Sequence, residues 1–213
     1  MAATSTPELL TLHGVRILGM ATAAQVARRF DLDPHEVEEL LLDAEAYGQV
    51  SRASFADLTG WGITDRGRAE DDRRLAAELD EAGARGVVTE AHATFARLNA
   101  RFLDATTRWQ IRPQPWDRMA VNDHDDWAWD ERVLDDLASL GRRLEPVGAA
   151  LAGALERFRG YPERYAAALA KVDNGERKWV DEPRIDSCHT VWFELHEDLL
   201  ATLGIERGSE EVT

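Results

Sequence analysis

The sequence predicts a mainly α-helical chain with one small β-hairpin near residue 60 and a helical bundle behind it. Three observations carry that prediction. Apolar residues recur at three- and four-residue steps over most of the chain, the period of a one-sided helix. Between residues 49 and 64 that period is lost, and Gln49-Val50-Ser51-Arg52-Ala53-Ser54 and Ile63-Thr64 favour extended backbone. The stretch Gly60-Trp61-Gly62-Ile63-Thr64-Asp65-Arg66-Gly67-Arg68 then reads as a short strand turning sharply into a long helix. At 213 residues and 44% hydrophobic content, the chain holds one or two domains and can bury a real core.

Each element has its own signals. Thr6-Pro7 pairs an N-cap with a first-turn proline, and Leu9, Leu10, Leu12, Val15, Ile17 and Leu18 make Pro7 to Met20 the first helix, ended near Gly19. Thr22 caps a short second helix, Ala23 to Phe30, with Ala24, Val26, Ala27 and Phe30 inward. Asp33-Pro34 opens a third helix, with Glu36 placed as in a capping box. Val37, Leu40, Leu41 and Ala44 are its apolar stripe, and Gly48 ends it. Phe55 to Thr59 joins the two extended pieces, and Asp65 is the cap candidate for a charged helix to Glu81. Gly83 and Gly86 then break the pattern, which predicts a boundary between residues 1–84 and 85–213.

Helix, helix, helix, hairpin and a long helix opened by T-x-x-G-R resembles the winged helix-turn-helix of MarR-type transcriptional regulators. The resemblance covers the first third of the chain. It implies DNA as a partner, a homodimer, and a C-terminal bundle that dimerises or senses a small molecule. In that fold the third helix is the recognition helix. The DNA-contact candidates are Arg28 and Arg29 at the end of the second helix, Arg52 on the wing, and Arg66.

Charge runs against a strong grip on nucleic acid. The formal net charge is -15, and up to Ala84 8 Arg face 16 Asp plus Glu. The outward set of the third helix is His35, Glu36, Glu39, Leu42, Asp43 and Ala46, with no Lys or Arg in the helix. Base edges are usually read by Arg, Lys, Asn or Gln, and carboxylates are repelled by phosphates. The alternative partner for this helix is a protein. No apolar run is long enough to cross a bilayer and no leader pattern is present, so the expected location is the cytoplasm.

Beyond residue 85, Val88, Ala91, Phe95, Leu98, Phe102 and Trp109 define a helix to about Ile111, with Thr89 as its cap candidate. Pro113 and Pro115 stop it, and an acidic loop runs to Trp127. Val133, Leu134, Leu137, Leu140 and Leu144 mark the next helix; Pro146 starts or kinks another, reaching Phe158. Tyr165, Leu169 and Val172 make a shorter helix, and the last runs from about Ser187 to Leu203, leaving a loose tail from Glu206.

The ligand-pocket candidates are Trp109, Cys188, His189, Trp192 and His196. His189, Trp192 and His196 fall on one face of the last helix. Seven residues separate the histidines, ~10.5 Å along the axis, which is too far for one ion held at ~2.1 Å, so no metal is expected. Cys188 and His189 point about 100° apart, which disfavours a Cys-His nucleophile pair. The loop Asn122-Asp123-His124-Asp125-Asp126 lacks the central Gly of a calcium loop and has Leu134 where its terminal Glu belongs. No phosphate loop or hydrolase motif is present, so no cofactor or catalytic residue is expected. The segment from Val180 to Gly204, with Asp186-Ser187-Cys188-His189-Thr190-Val191-Trp192-Phe193-Glu194-Leu195-His196 at its centre, resembles helical domains associated with pyruvate phosphate dikinase-like proteins. That resemblance implies association with such an enzyme. Three readings therefore stand: a DNA-binding regulator, a protein-interaction module using the acidic third helix, and a small-molecule-binding or catalytic bundle.

Overall fold

The computed structural model describes residues 1–55 and 58–206; the side chains of Phe55 and Leu58 are outside that description. Its first part runs α1 (Pro7–Leu18), β1 (Met20–Ala21), α2 (Ala23–Phe30), α3 (Pro34–Ala46), β2 (Val50–Phe55), β3 (Leu58–Ile63) and α4 (Asp65–Glu81). The strands form an antiparallel sheet of order β1-β3-β2. This is a winged helix-turn-helix. Trp61 sits opposite both Ala21 and Arg52, so the expected hairpin gains a third strand on its inner edge. Two residues of β1 carry no periodic signal, which hides that strand from a sequence reading.

The stretch around residue 64 owes its shape to three contacts. Thr64, not Asp65, is the N-cap: its Oγ1 accepts from Gly67 N at 3.0 Å and donates to the Gly48 carbonyl at 2.7 Å. Thr64 N donates to the Gln49 carbonyl at 3.0 Å, which ties the start of α4 to the start of β2. A Cβ on Gly67 would lie 1.9 Å from that same carbonyl oxygen, so only glycine lets helix and strand meet. Leu12, Val15, Val26, Val37, Leu41, Val50 and Trp61 fill the core between helices and sheet. Ala24 is exposed and Leu40 only half-buried, because the buried stripes, Ala23, Val26 and Ala27 on α2 and Val37, Leu41 and Ala44 on α3, are narrower than the sequence pattern assigned.

The second part comprises α5 (Arg85–Gln110), α6 (Trp127–Ala154), α7 (Tyr161–Asp173) and α8 (Cys188–Leu203), with short 3-10 turns at Glu156–Phe158 and Arg177–Trp179. It is a helical bundle whose core includes Phe95, Phe102, Leu137, Leu144, Tyr165, Trp192 and Leu195. α5 begins at Arg85 rather than at Thr89. α6 passes through Pro146 without breaking: Leu144, Val147 and Leu151 stay buried on both sides of it, and that packing outweighs the lost N–H. The expected loose tail, apart from Glu206, lies outside the described residues. Among the described residues no helix is long and apolar enough to cross a membrane.

The two parts meet along a seam. α1 and α4 pack on α8, with Leu9, Leu75 and Ala201 as a small apolar cluster. Ala3 N donates to the Ala154 carbonyl and Glu156 N to the Ala3 carbonyl, both at 2.9 Å, pinning the N-terminal segment to the bundle.

Candidate functional site

Two features stand out: the solvent face of α3, and a buried polar network behind it in the seam. Asp33 caps α3 by accepting from His35 N at 2.8 Å and Glu36 N at 3.2 Å, with Pro34 at the first helical position. Val37, Leu41 and Ala44 turn inward. That rotation leaves His35, Glu36, Glu39, Leu42, Asp43 and Glu45 exposed. Leu42 is 38% and the adjoining Tyr47 64% exposed, so two large apolar side chains stand among carboxylates. Arg52 on β2 lies 3.7 Å from Glu45, with its guanidinium 4.6 Å from the Trp61 ring centroid. The wing arginine is thus turned toward α3 and its indole neighbour.

The remaining arginines of the winged helix point mostly toward the bundle. Arg29 has a side chain only 5% exposed and donates to the carbonyls of Arg159 and Arg157. Its guanidinium stacks 4.3 Å from the Tyr161 ring centroid. The burial leaves it no access to a phosphate. Arg28 is exposed but close enough to the bundle to lower the Asp186 pKa, with Arg164 as the main cause. Arg16 bonds Asp71, Asp72 and Glu197, and Arg73 and Arg74 both bond Glu70. Arg66 is exposed.

The seam holds a group of side chains that sequence reading did not single out. His13 of α1 places Nδ1 3.2 Å from Asp71 of α4 and Nε2 3.1 Å from Asp198 of α8. All three are completely buried. Arg157 donates to Asp198, to Glu78 at 2.8 Å and to Thr202 at 2.7 Å; Tyr161 donates to Asp198 at 2.9 Å. Ionised carboxylates only accept, so a ring with a carboxylate on each nitrogen must carry both protons. With both aspartates ionised, His13 takes the imidazolium form. Burial alone would lower its pKa, but Asp71 and Asp198 outweigh that and raise it. Burial likewise opposes ionisation of Asp198, yet Arg157 and His13 hold its pKa well below the usual range. A signal for this network does exist: His13, Asp71 and Asp198 each fall on the apolar stripe of their own helix, beside Leu9 and Ile17, Leu75, and Leu195. What the pattern cannot say is that residues 58 and 185 positions from His13 meet on its ring.

Three of the ligand-pocket candidates, His189, Trp192 and His196, gather around the rings of Phe95 and Phe102. Trp192 stacks on Phe102 with centroids 4.5 Å apart and 5° between planes, and donates its indole N–H to Asn99 at 3.0 Å. Trp109 is buried against His124, 4.3 Å between centroids. Cys188 is buried, which pushes its thiol up to about 12 and leaves it inert at neutral pH. His196 tilts against Phe95. Of the five, His189 borders a cleft of about 770 Å³ between α1, α4 and α8. Among the described residues no group of three or more His, Cys, Asp or Glu is arranged to hold a metal ion. The acidic loop instead folds on itself: Asp130 accepts from Asn122 at 2.9 Å and lies 3.0 Å from His124 Nδ1, and Arg112 bonds Asp126 at 2.7 Å.

In comparisons with family models, curated proteins and solved structures, nothing matches this chain.

Proposed function

We propose that this protein is a winged-helix regulatory module that docks a protein through α3, with the bundle as its rigid support. One observation carries the reading: the exposed face of α3 bears Glu36, Glu39, Asp43 and Glu45 around Leu42 and Tyr47, and no cation of its own. A duplex presents a dense line of negative phosphates, so that face is repelled by it. A protein surface with an apolar socket rimmed by Lys and Arg complements it in shape and sign. The turning of Arg16 and Arg29 into the seam favours the same reading, because the cations a DNA reader would spend on phosphates are engaged inside the molecule. Leu42→Asp should abolish capture of the partner while leaving the thermal melt within about 1 kcal/mol of wild type, as expected for an exposed position. Unaltered capture by Leu42→Asp would reject the site.

A second reading is the MarR-like transcriptional regulator. The winged-helix architecture and the exposed Arg52 and Arg66 favour it. It requires duplex binding that weakens steeply with salt and is lost in Arg66→Glu. Absence of binding to a genomic fragment library at low salt retires it.

A further inference from the structure

The seam between the two parts is joined mainly by charge. Its apolar cluster consists of Leu9, Leu75 and Ala201, whereas each part has a larger core of its own. His13 bonds to both sides: Nδ1 faces Asp71 of α4, within the winged helix, and Nε2 faces Asp198 of α8, in the bundle. The charged groups around this ring support the two carboxylates unequally. Asp198 also accepts from Arg157, which follows α6, and from Tyr161 of α7, and Arg29 of α2 adds positive potential there. Glu78 of α4 holds Arg157 from the other side. Asp71 has Arg16 of α1, which is shared with Asp72 and Glu197. Its Oδ1 is buried with no hydrogen-bond partner among the described residues.

A neutral imidazole keeps one N–H and turns a lone pair to its other neighbour. When the ring loses its second proton, the remaining N–H stays with Asp71, the carboxylate with fewer donors. The Nε2 lone pair then meets the buried Asp198 carboxylate, and two acceptors facing each other without water repel strongly. The contact that fails is the one between winged helix and bundle, not the one inside the winged helix.

We propose that His13 is a proton-operated latch: its imidazolium form closes the winged helix on the bundle, and its neutral form lets α1 and the start of α4 swing off α8. Leu79 and Ala84, at the end of α4, lie in the bundle core, so the swing pivots there. Burial lowers the pKa of His13, but Asp71 and Asp198 outweigh it and raise the value above 6.5. The latch is therefore at full strength below 6.5 and is lost as pH rises through the closed-state value. Within that window each opening releases one proton, so the opening constant grows up to about tenfold per pH unit. The latch is independent of the α3 face, which lies on other residues.

The test is thiol labelling of the full chain carrying Ala201→Cys, with Cys188 in the bundle core as internal reference. Rates are divided by those of the urea-unfolded chain at each pH, which removes the pH dependence of the thiolate itself. Between pH 6.5 and about 9.5, protection at position 201 should fall by up to about tenfold per unit and then level off, while Cys188 stays protected. Asp71→Asn should keep the seam closed throughout, because the new amide donates to Nδ1 of a neutral ring, Nε2–H keeps Asp198, and Arg16 retains Asp72 and Glu197. His13→Gln, which carries no titrating group, should label at position 201 without that pH dependence. Unchanged protection at position 201, an equal fall at Cys188, or the same fall in Asp71→Asn or His13→Gln overturns the latch. Leu9→Cys reports the same apolar cluster where Ala201→Cys lowers the melt.

Discussion

At the scale of single residues, the seam depends on one proton. His13 joins two carboxylates from two different helices, and each of them is also held by an arginine. Taking one charge out of such a buried set leaves the others uncompensated, which costs about 3–5 kcal/mol. Asp198→Asn should fall in that range by urea unfolding, because it removes the anion facing His13 and Arg157 and an acceptor for Tyr161. The pH dependence follows from the direction of the His13 shift. A pKa raised above 6.5 means that its stabilisation is complete below 6.5 and is lost as pH rises through the higher folded value. Asp198, lowered from 3.8, loses its contribution as pH falls below 3.8. Stability should therefore plateau on the acidic side of neutrality. The gap between wild type and His13→Gln should narrow as pH rises above 6.5, and a gap independent of pH would show that His13 is neutral in the fold. The sequence displayed the three polar residues on apolar stripes, yet pairing them required the packing of α1, α4 and α8, which no local pattern encodes.

At the scale of elements, the wing-to-helix corner has the least tolerance. Thr64 caps α4, and Gly67 lies where a methyl would strike the Gln49 carbonyl. Gly67→Ala should destabilise by about 1–3 kcal/mol through forced backbone shift, read by denaturant midpoint. Gly86→Ala, with nothing within 4 Å of the added carbon, should change stability by less than about 1 kcal/mol. Before any coordinates this corner was legible as a short strand turning into a long helix, but the sequence assigns the cap to Asp65, because an aspartate directly before the charged run is as good a capping residue as the threonine one position earlier. Other elements were less so. Pro146 suggested two helices where packing sustains one, and the two-residue β1 was silent. On α3 the stripe of Val37, Leu40, Leu41 and Ala44 placed Glu36, Glu39 and Asp43 outward, as the structure has them, but it missed the exposed Glu45 and overcounted the half-buried Leu40.

At the scale of the whole molecule, a formal charge of -15 coexists with an interior rich in arginine. Arg16, Arg29, Arg157 and Arg164 are bound in or beside the seam and face Asp71, Glu194, Asp198 and Asp186. This leaves the acidic surplus for the surface, α3 included. Electrostatic capture by that surface should speed association with a basic partner at low ionic strength and slow it as salt rises, with the dissociation rate nearly constant. Composition announced the acidity but not its distribution, because the side chains that neutralise each other come from distant parts of the chain. The most direct test places a photo-crosslinking amino acid at position 42 in the producing cell. The account predicts a crosslink to a protein bearing Lys and Arg around an apolar socket, suppressed when Glu39 and Asp43 are changed to Lys. A crosslink to DNA at that position would contradict it.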